Sequence, residues 1–283
     1  VSQTYCQELR YPYYAHGMSQ VLSSRGGDFT GITNGIDMKL FNPMTTAGLA
    51  AHYNEKTFRE GKVQNKLALQ KELGLPEDRD TAMLAMVTRL AGHKGIDLLC
   101  YIAERLMTRR VQLVVIGTGE EKYEWFLRGL QERFGRQVSV NLCFSADLAN
   151  LVYAASDLYL MPSKSEPCGL SQMIAMRYGT LPIVRETGGL RDSVQPYNRF
   201  TGEGTGFSFA NFNAYELADT IRRALALYHD DHDAYCRVQR QAMSQDFSFT
   251  RSAEDYAHLY LLLLPEDTTP KHDAADEAFR SPI

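Results

Sequence analysis

Between residues 81 and 209 short apolar runs alternate with stretches of helical periodicity, and few folds accept that order. The runs at 81–88, 111–116, 138–143, 157–161, 181–184 and 206–209 have the length of strands. Helical spacing fills 96–107, the stretch from 120 to about 134, 146–155 and 169–178. Such alternation predicts five or six parallel strands with helices on both faces. The fold class is therefore α/β, a Rossmann-like doubly wound parallel sheet. In such sheets ligands bind beyond the carboxyl ends of the strands, where the strand order reverses.

Other segments flank this unit. Residues 1–10 start a helix or pack as a loop, Arg25-Gly26-Gly27-Asp28 is a turn, and 31–33 reads as a short strand ending in the turn dipeptide Asn34-Gly35. A charged helix over 55–73 stops at Gly74 and Pro76. Helices are expected at 214–228, 232–244 and 250–264, before a tail rich in Pro, Asp and Thr. Three parts result: an N-terminal hinge segment (1–43), the α/β domain with its closing helices (44–264) and a disordered tail (265–283). The first residue is Val1, and the chain reads as a piece excised from a longer protein.

Composition narrows function by exclusion. A net charge of −4 with no basic block speaks against a nucleic-acid partner. Five scattered cysteines without a CxxC pair fit free thiols in the reducing cytoplasm. No apolar run has the length of a membrane span, and LYLLLL at 259–264 reads as the buried side of a helix. The acidic and histidine cluster from His229 to Asp233 lies between two predicted helices, where Asp serves as a cap; no metal site is expected.

The turn after the 157–161 strand carries one carboxylate, Glu166, and then Gly169, Leu170, Ser171 and Gln172, which open a helix. First-turn N–H groups lack intrahelical acceptors and suit a phosphate. In a doubly wound sheet the first and fourth strands are neighbours, so Arg89 and Lys94, after the 81–88 strand, would face that turn. Two cations beside a helix opening match a diphosphate leaving group; a surface ion-pair role competes with that reading. Phe144, after the third run, is either a stacking ring for a base or an aromatic capping the core. The GTGE loop at 117–120 reads as a tight turn, Gly188-Gly189 as another, and Cys168 as structural.

Four segments, TRLAGHKGIDLL (88–99), SEPCGLSQMIAMRYGTLPIVRETGGLRDSV (165–194), TNGIDMKLFNP (33–43) and QRQAMSQDFSF (239–249), resemble the bacterial-type glycogen and starch synthases. The resemblance implies the C-terminal half of a two-Rossmann-domain (GT-B) glycosyltransferase. It implies transfer of glucose from ADP-glucose to the non-reducing end of an α-1,4-glucan, with retention and without metal or cofactor. On that pattern Arg89 and Lys94 stabilise the leaving diphosphate, and Glu166 is the carboxylate beside the donor glucose. Asn34, Phe144, Cys168, Gly169, Leu170 and Ser171 are donor-binding. Where related transferases carry a second Glu, eight residues after the first, this chain has Ile174; Ser171 replaces the usual Thr. The implied partners are ADP-glucose, the glucan and an N-terminal Rossmann domain to which the last helix would cross, leaving its apolar side exposed in this chain. A non-catalytic glucan- or nucleotide-binding module and a GT-B enzyme using UDP-glucose are the competing readings.

Overall fold

The computed structural model describes residues 1–264. Six strands run parallel in one sheet: β1 (Ala82–Val87), β2 (Val111–Ile116), β3 (Val138–Asn141), β4 (Leu158–Met161), β5 (Leu181–Arg185) and β6 (Phe207–Phe209), in the order β3-β2-β1-β4-β5-β6. Both faces of the central strands are covered, so β2 is buried throughout and β1 up to its last residue. That is why these strands read as continuous apolar runs instead of alternating patterns. The order reverses between β1 and β4, which pair at Leu84–Leu158 and Ala85–Tyr159.

The helices are, in order, α1 (Gln3–Glu8), α2 (Ser19–Ser24), α3 (Phe58–Glu72), α4 (Ile96–Leu106), α5 (Glu121–Phe134), α6 (Ala146–Ala155), α7 (Ser171–Arg177), α8 (Gly188–Ser193), α9 (Ala214–Asp230), α10 (His232–Met243) and α11 (Phe249–Leu263). The α4 sequence places Ile96, Leu99, Ile102, Ala103 and Leu106 on one stripe, and all five are buried. Helix α3 behaves differently. Its core side carries Lys62, Asn65, Lys66 and Gln70, all buried. Each is satisfied by hydrogen bonds: Lys66 Nζ lies 2.6 Å from Asp157 Oδ2, and Gln70 Nε2 donates to Gln112 Oε1 on β2 at 2.7 Å. Buried polar groups persist only when paired in this way.

Several expectations are corrected. No strand forms at 31–33; only a single bridge joins Ile36 to Ser248. Gly35 is not needed for a turn. A Cβ there would sit 2.6 Å from the backbone of Ser248 and Phe249, so the glycine permits a close crossing of two segments. Gly188-Gly189 opens the short helix α8 instead of a turn, because Thr187 Oγ1 and the Gly188 N–H both donate to Glu8 Oε1. The run at 259–264 is not the buried side of a helix in this chain: Leu262 and Leu263 are 69% and 73% exposed, in line with the other expectation, that the last helix leaves its apolar side uncovered here. Other element ends differ from the expected bounds by a few residues at most, as fraying ends do. The expected disorder of 265–283 lies outside the described residues. Among the described residues no helix is long and apolar enough to cross a membrane, and no group of His, Cys, Asp and Glu has the geometry to hold a metal. Asp231 caps α10, accepting from the Ala234 N–H at 2.9 Å.

Candidate active site

The site forms where β1 and β4 end side by side. Beyond β1 the chain crosses the GTGE loop: the Leu90 N–H donates to Thr118 O at 2.9 Å, and the Gly92 N–H donates to Glu120 Oε1 at 2.8 Å. These bonds make the loop a structural brace, in line with a tight turn. The chain then makes a helical turn at Gly92–Lys94 and reaches Gly95 with φ of 74°. A Cβ at Gly95 would lie 2.1 Å from the Pro162 carbonyl, so only glycine lets the two loops touch. One further bond stitches them, from the Lys164 N–H to His93 O at 2.8 Å.

That contact sets the central pair. Lys94 Nζ lies 2.7 Å from Glu166 Oε2, with the carboxylate side chain only 8% exposed and the lysine 21%. Ser163 Oγ donates to the same carboxylate oxygen at 3.1 Å. Lys94, Ser163, Glu166, Gly169, Leu170 and Ser171 line a cleft of 110 Å³. Gly169 adopts φ of 70°, and Gln172 Nε2 holds the loop by donating to Gly169 O at 2.9 Å and to Cys168 O at 3.2 Å. The first N–H groups of α7 have no intrahelical acceptors and open next to the ion pair. The cleft thus offers a cation and helix-opening N–H donors to an anion, beside a carboxylate oxygen able to accept from hydroxyls.

The remaining expected residues fall around this cleft. Cys168 is buried behind it, where burial pushes its thiol pKa up; the nearby Asn34 backbone opposes that. Asn34 thus lies behind the loop, while its side chain borders a separate cavity with Asp192 and Ser248. Arg89 is exposed and makes no ion pair among the described residues. It is close enough that its charge, after burial and Lys94, helps to lower the pKa of His93. Phe144 is 98% exposed, so it does not cap the core. Its ring stands free beside the N-terminus of α6, where Ser145 accepts from the Leu148 N–H.

Sequence reasoning missed Ser163, Arg185 and the side-chain role of Gln172, which enters the sequence reading only through its backbone N–H at the helix opening. Ser163 and Gln172 flank Glu166 in sequence and could have been found as polar residues of the same turn and helix opening. Arg185, at the end of β5, donates to Lys164 O at 2.7 Å and reaches Tyr14 at 3.2 Å; only the fold brings these together. A larger cavity of 370 Å³ lies at the opposite end of the central strands, where β1, β2 and β4 begin. Three of its cations are already engaged, Arg59 with Asp233, Lys66 with Asp157 and Arg110 with Asp78.

Comparisons with known proteins place the chain in a family and match its fold. The family model described as glycosyl transferases group 1 matches residues 68–241. The chain is 45% identical over 260 residues to the glycogen synthase of Lachnospira eligens, covering 92% of this chain and 54% of that protein. It is 49% identical over 260 residues to the glycogen synthase of Clostridium perfringens, with the same coverage of 92% and 54%. Among solved structures, the catalytic domain of starch synthase IV from Arabidopsis thaliana, bound to ADP and acarbose, matches with a TM-score of 0.86 and 36% identity. That match covers 92% of this chain and 54% of the other. The chain thus spans about half the length of the relatives it matches, 54% for each of these.

Proposed function

Because this chain belongs to the group 1 glycosyl transferases, we propose that it is the donor-binding part of a glycogen or starch synthase. The whole protein transfers glucose from ADP-glucose to the non-reducing end of an α-1,4-glucan, with retention. The observation that carries this reading is the Lys94–Glu166 pair beside the opening of α7. Two halves of one ligand fit it: an anionic diphosphate on the lysine and N–H side, and a hydroxylated sugar on the carboxylate side. A bound diphosphate competes with Glu166 for Lys94 and frees carboxylate oxygens for the sugar.

Each named residue then has a role. Lys94 and Arg89 neutralise the charge that grows on the diphosphate as the glycosidic bond to it breaks. Glu166 holds the glucose hydroxyls in place, a positioning role that suits a single carboxylate already paired with a cation. The backbone at Cys168, Gly169 and Leu170 and the Ser171 hydroxyl cradle phosphate and sugar. Asn34 completes the sugar side, and Phe144 stacks under the base. The exposed apolar end of α11 is the surface that meets the N-terminal domain. Donor and acceptor react only when both walls of the cleft are present, so this chain alone is inactive.

Calorimetry of the full-length protein with ADP-glucose and with UDP-glucose tests the donor. Tighter binding of ADP-glucose is expected. Preference for UDP-glucose removes the donor assignment, and binding of neither removes the functional reading. Glucan synthesis by the isolated chain would overturn the claim that it is only one wall of the site.

A further inference from the structure

Lys62 is buried at 5% exposure near the end of the sheet remote from the cleft, and the proposed mechanism gives it no task. Its Nζ has no carboxylate within ion-pair distance among the described residues. It donates instead to the Ala154 carbonyl at 3.0 Å, the Tyr178 carbonyl at 3.1 Å and Thr180 Oγ1 at 2.9 Å. Ala154 lies in the last turn of α6, and Tyr178 is the C-cap of α7. The Tyr53 hydroxyl bridges the same two carbonyls, at 3.3 Å and 2.8 Å.

Carbonyls at helix C-termini lack intrahelical donors and carry partial negative charge, so a buried amine suits them. What matters is where these helices start. Helix α6 begins directly after Phe144, and α7 begins at Ser171. At the helical rise, helices of this length put Lys62 about 10–15 Å behind those residues. A second link runs forward. Tyr153, in the same last turn of α6, has its phenol 3.4 Å from the Tyr159 hydroxyl. Tyr159 in turn donates to Val87 O at 2.8 Å, at the end of β1 that leads to Arg89 and Lys94.

We infer that Lys62 is a positioning residue of the donor site: one buried amine, with Tyr53, locks together the far ends of the two helices whose near ends hold the nucleotide. The inference rests on the functional reading above, and ADP is the probe that separates the two. In the full-length protein, Lys62→Met weakens ADP binding about tenfold and Tyr53→Phe about threefold, the scale on which small misplacements act. Leu69→Ala, which removes a buried side chain from the same helix, lowers Tm but leaves ADP affinity unchanged. A merely structural role for Lys62 would make Lys62→Met behave like Leu69→Ala, and that result overturns the inference while wild-type ADP binding keeps the functional reading. If Lys62→Met does not fold, Tyr53→Phe decides: wild-type affinity in that folded variant overturns the inference. A wild-type protein that does not bind ADP overturns both.

Discussion

Lys94 Nζ lies 2.7 Å from Glu166 Oε2, and the two side chains reach each other from the ends of neighbouring strands that are far apart in sequence. The pair joins the cationic and the carboxylate halves of the cleft. Replacing Lys94 by Ala should lower kcat by about 10²-fold or more, the usual scale for a lost transition-state donor. It also leaves Glu166 buried without its cation, a loss of about 1–3 kcal/mol given the lysine's partial exposure. Turnover and chemical denaturation of one variant measure the two effects separately. Wild-type turnover in Lys94→Ala removes this residue from the catalytic assignment.

Phe144 offers a cleaner separation. At 98% exposure it contributes nothing to the core, so Phe144→Ala should leave Tm unchanged. Stacking on a base is worth about 1–3 kcal/mol, so ADP affinity should fall by about 5- to 150-fold. An unchanged Kd would show that the ring does not meet the nucleotide.

Thiol chemistry checks the reading of Cys168. Its thiol is buried and its pKa raised, chiefly by that burial; the pKa of Cys100 is pushed up to about 12 for the same first reason. Reactivity follows the exposed thiolate. Iodoacetamide at neutral pH should therefore modify exposed Cys143 first and leave Cys168 and Cys100 intact in the folded protein. Rapid alkylation of Cys168, read by peptide mass spectrometry, would contradict its packed position.

The lysine behind the site gives a pH prediction with a definite sign. Burial pushes the pKa of Lys62 down from 10.5 to about 7; Asp157 opposes the shift and Lys66 adds to it. Between about pH 7 and 10.5 the unfolded chain keeps a proton that the folded chain has released. Stability from this group therefore rises with pH across that window and is lost as pH falls toward 7. The Tm difference between wild type and Lys62→Met should grow in favour of the wild type from pH 7 to pH 9. A constant difference would mean that Lys62 keeps an ordinary pKa.

Read alone, the chain already determined the sheet, its parallel sense and the turn that carries Glu166. Fully covered strands must be apolar throughout, and helices packed on a sheet must show a stripe; both leave a pattern in the order of residues. The pairing of the 81–88 and 157–161 runs followed from topology, and with it the meeting of Lys94 and Glu166. Tertiary structure alone decided the rest. A charged stretch over 55–73 gave no sign that Lys62 and Lys66 point inward, because their partners are carbonyls and a carboxylate supplied by distant segments. The run at 259–264 looked like a core segment, since hydrophobicity does not say which surface is available to cover it. Phe144 could have faced either way for the same reason. Periodicity encodes which side of an element is apolar; only packing decides what that side meets.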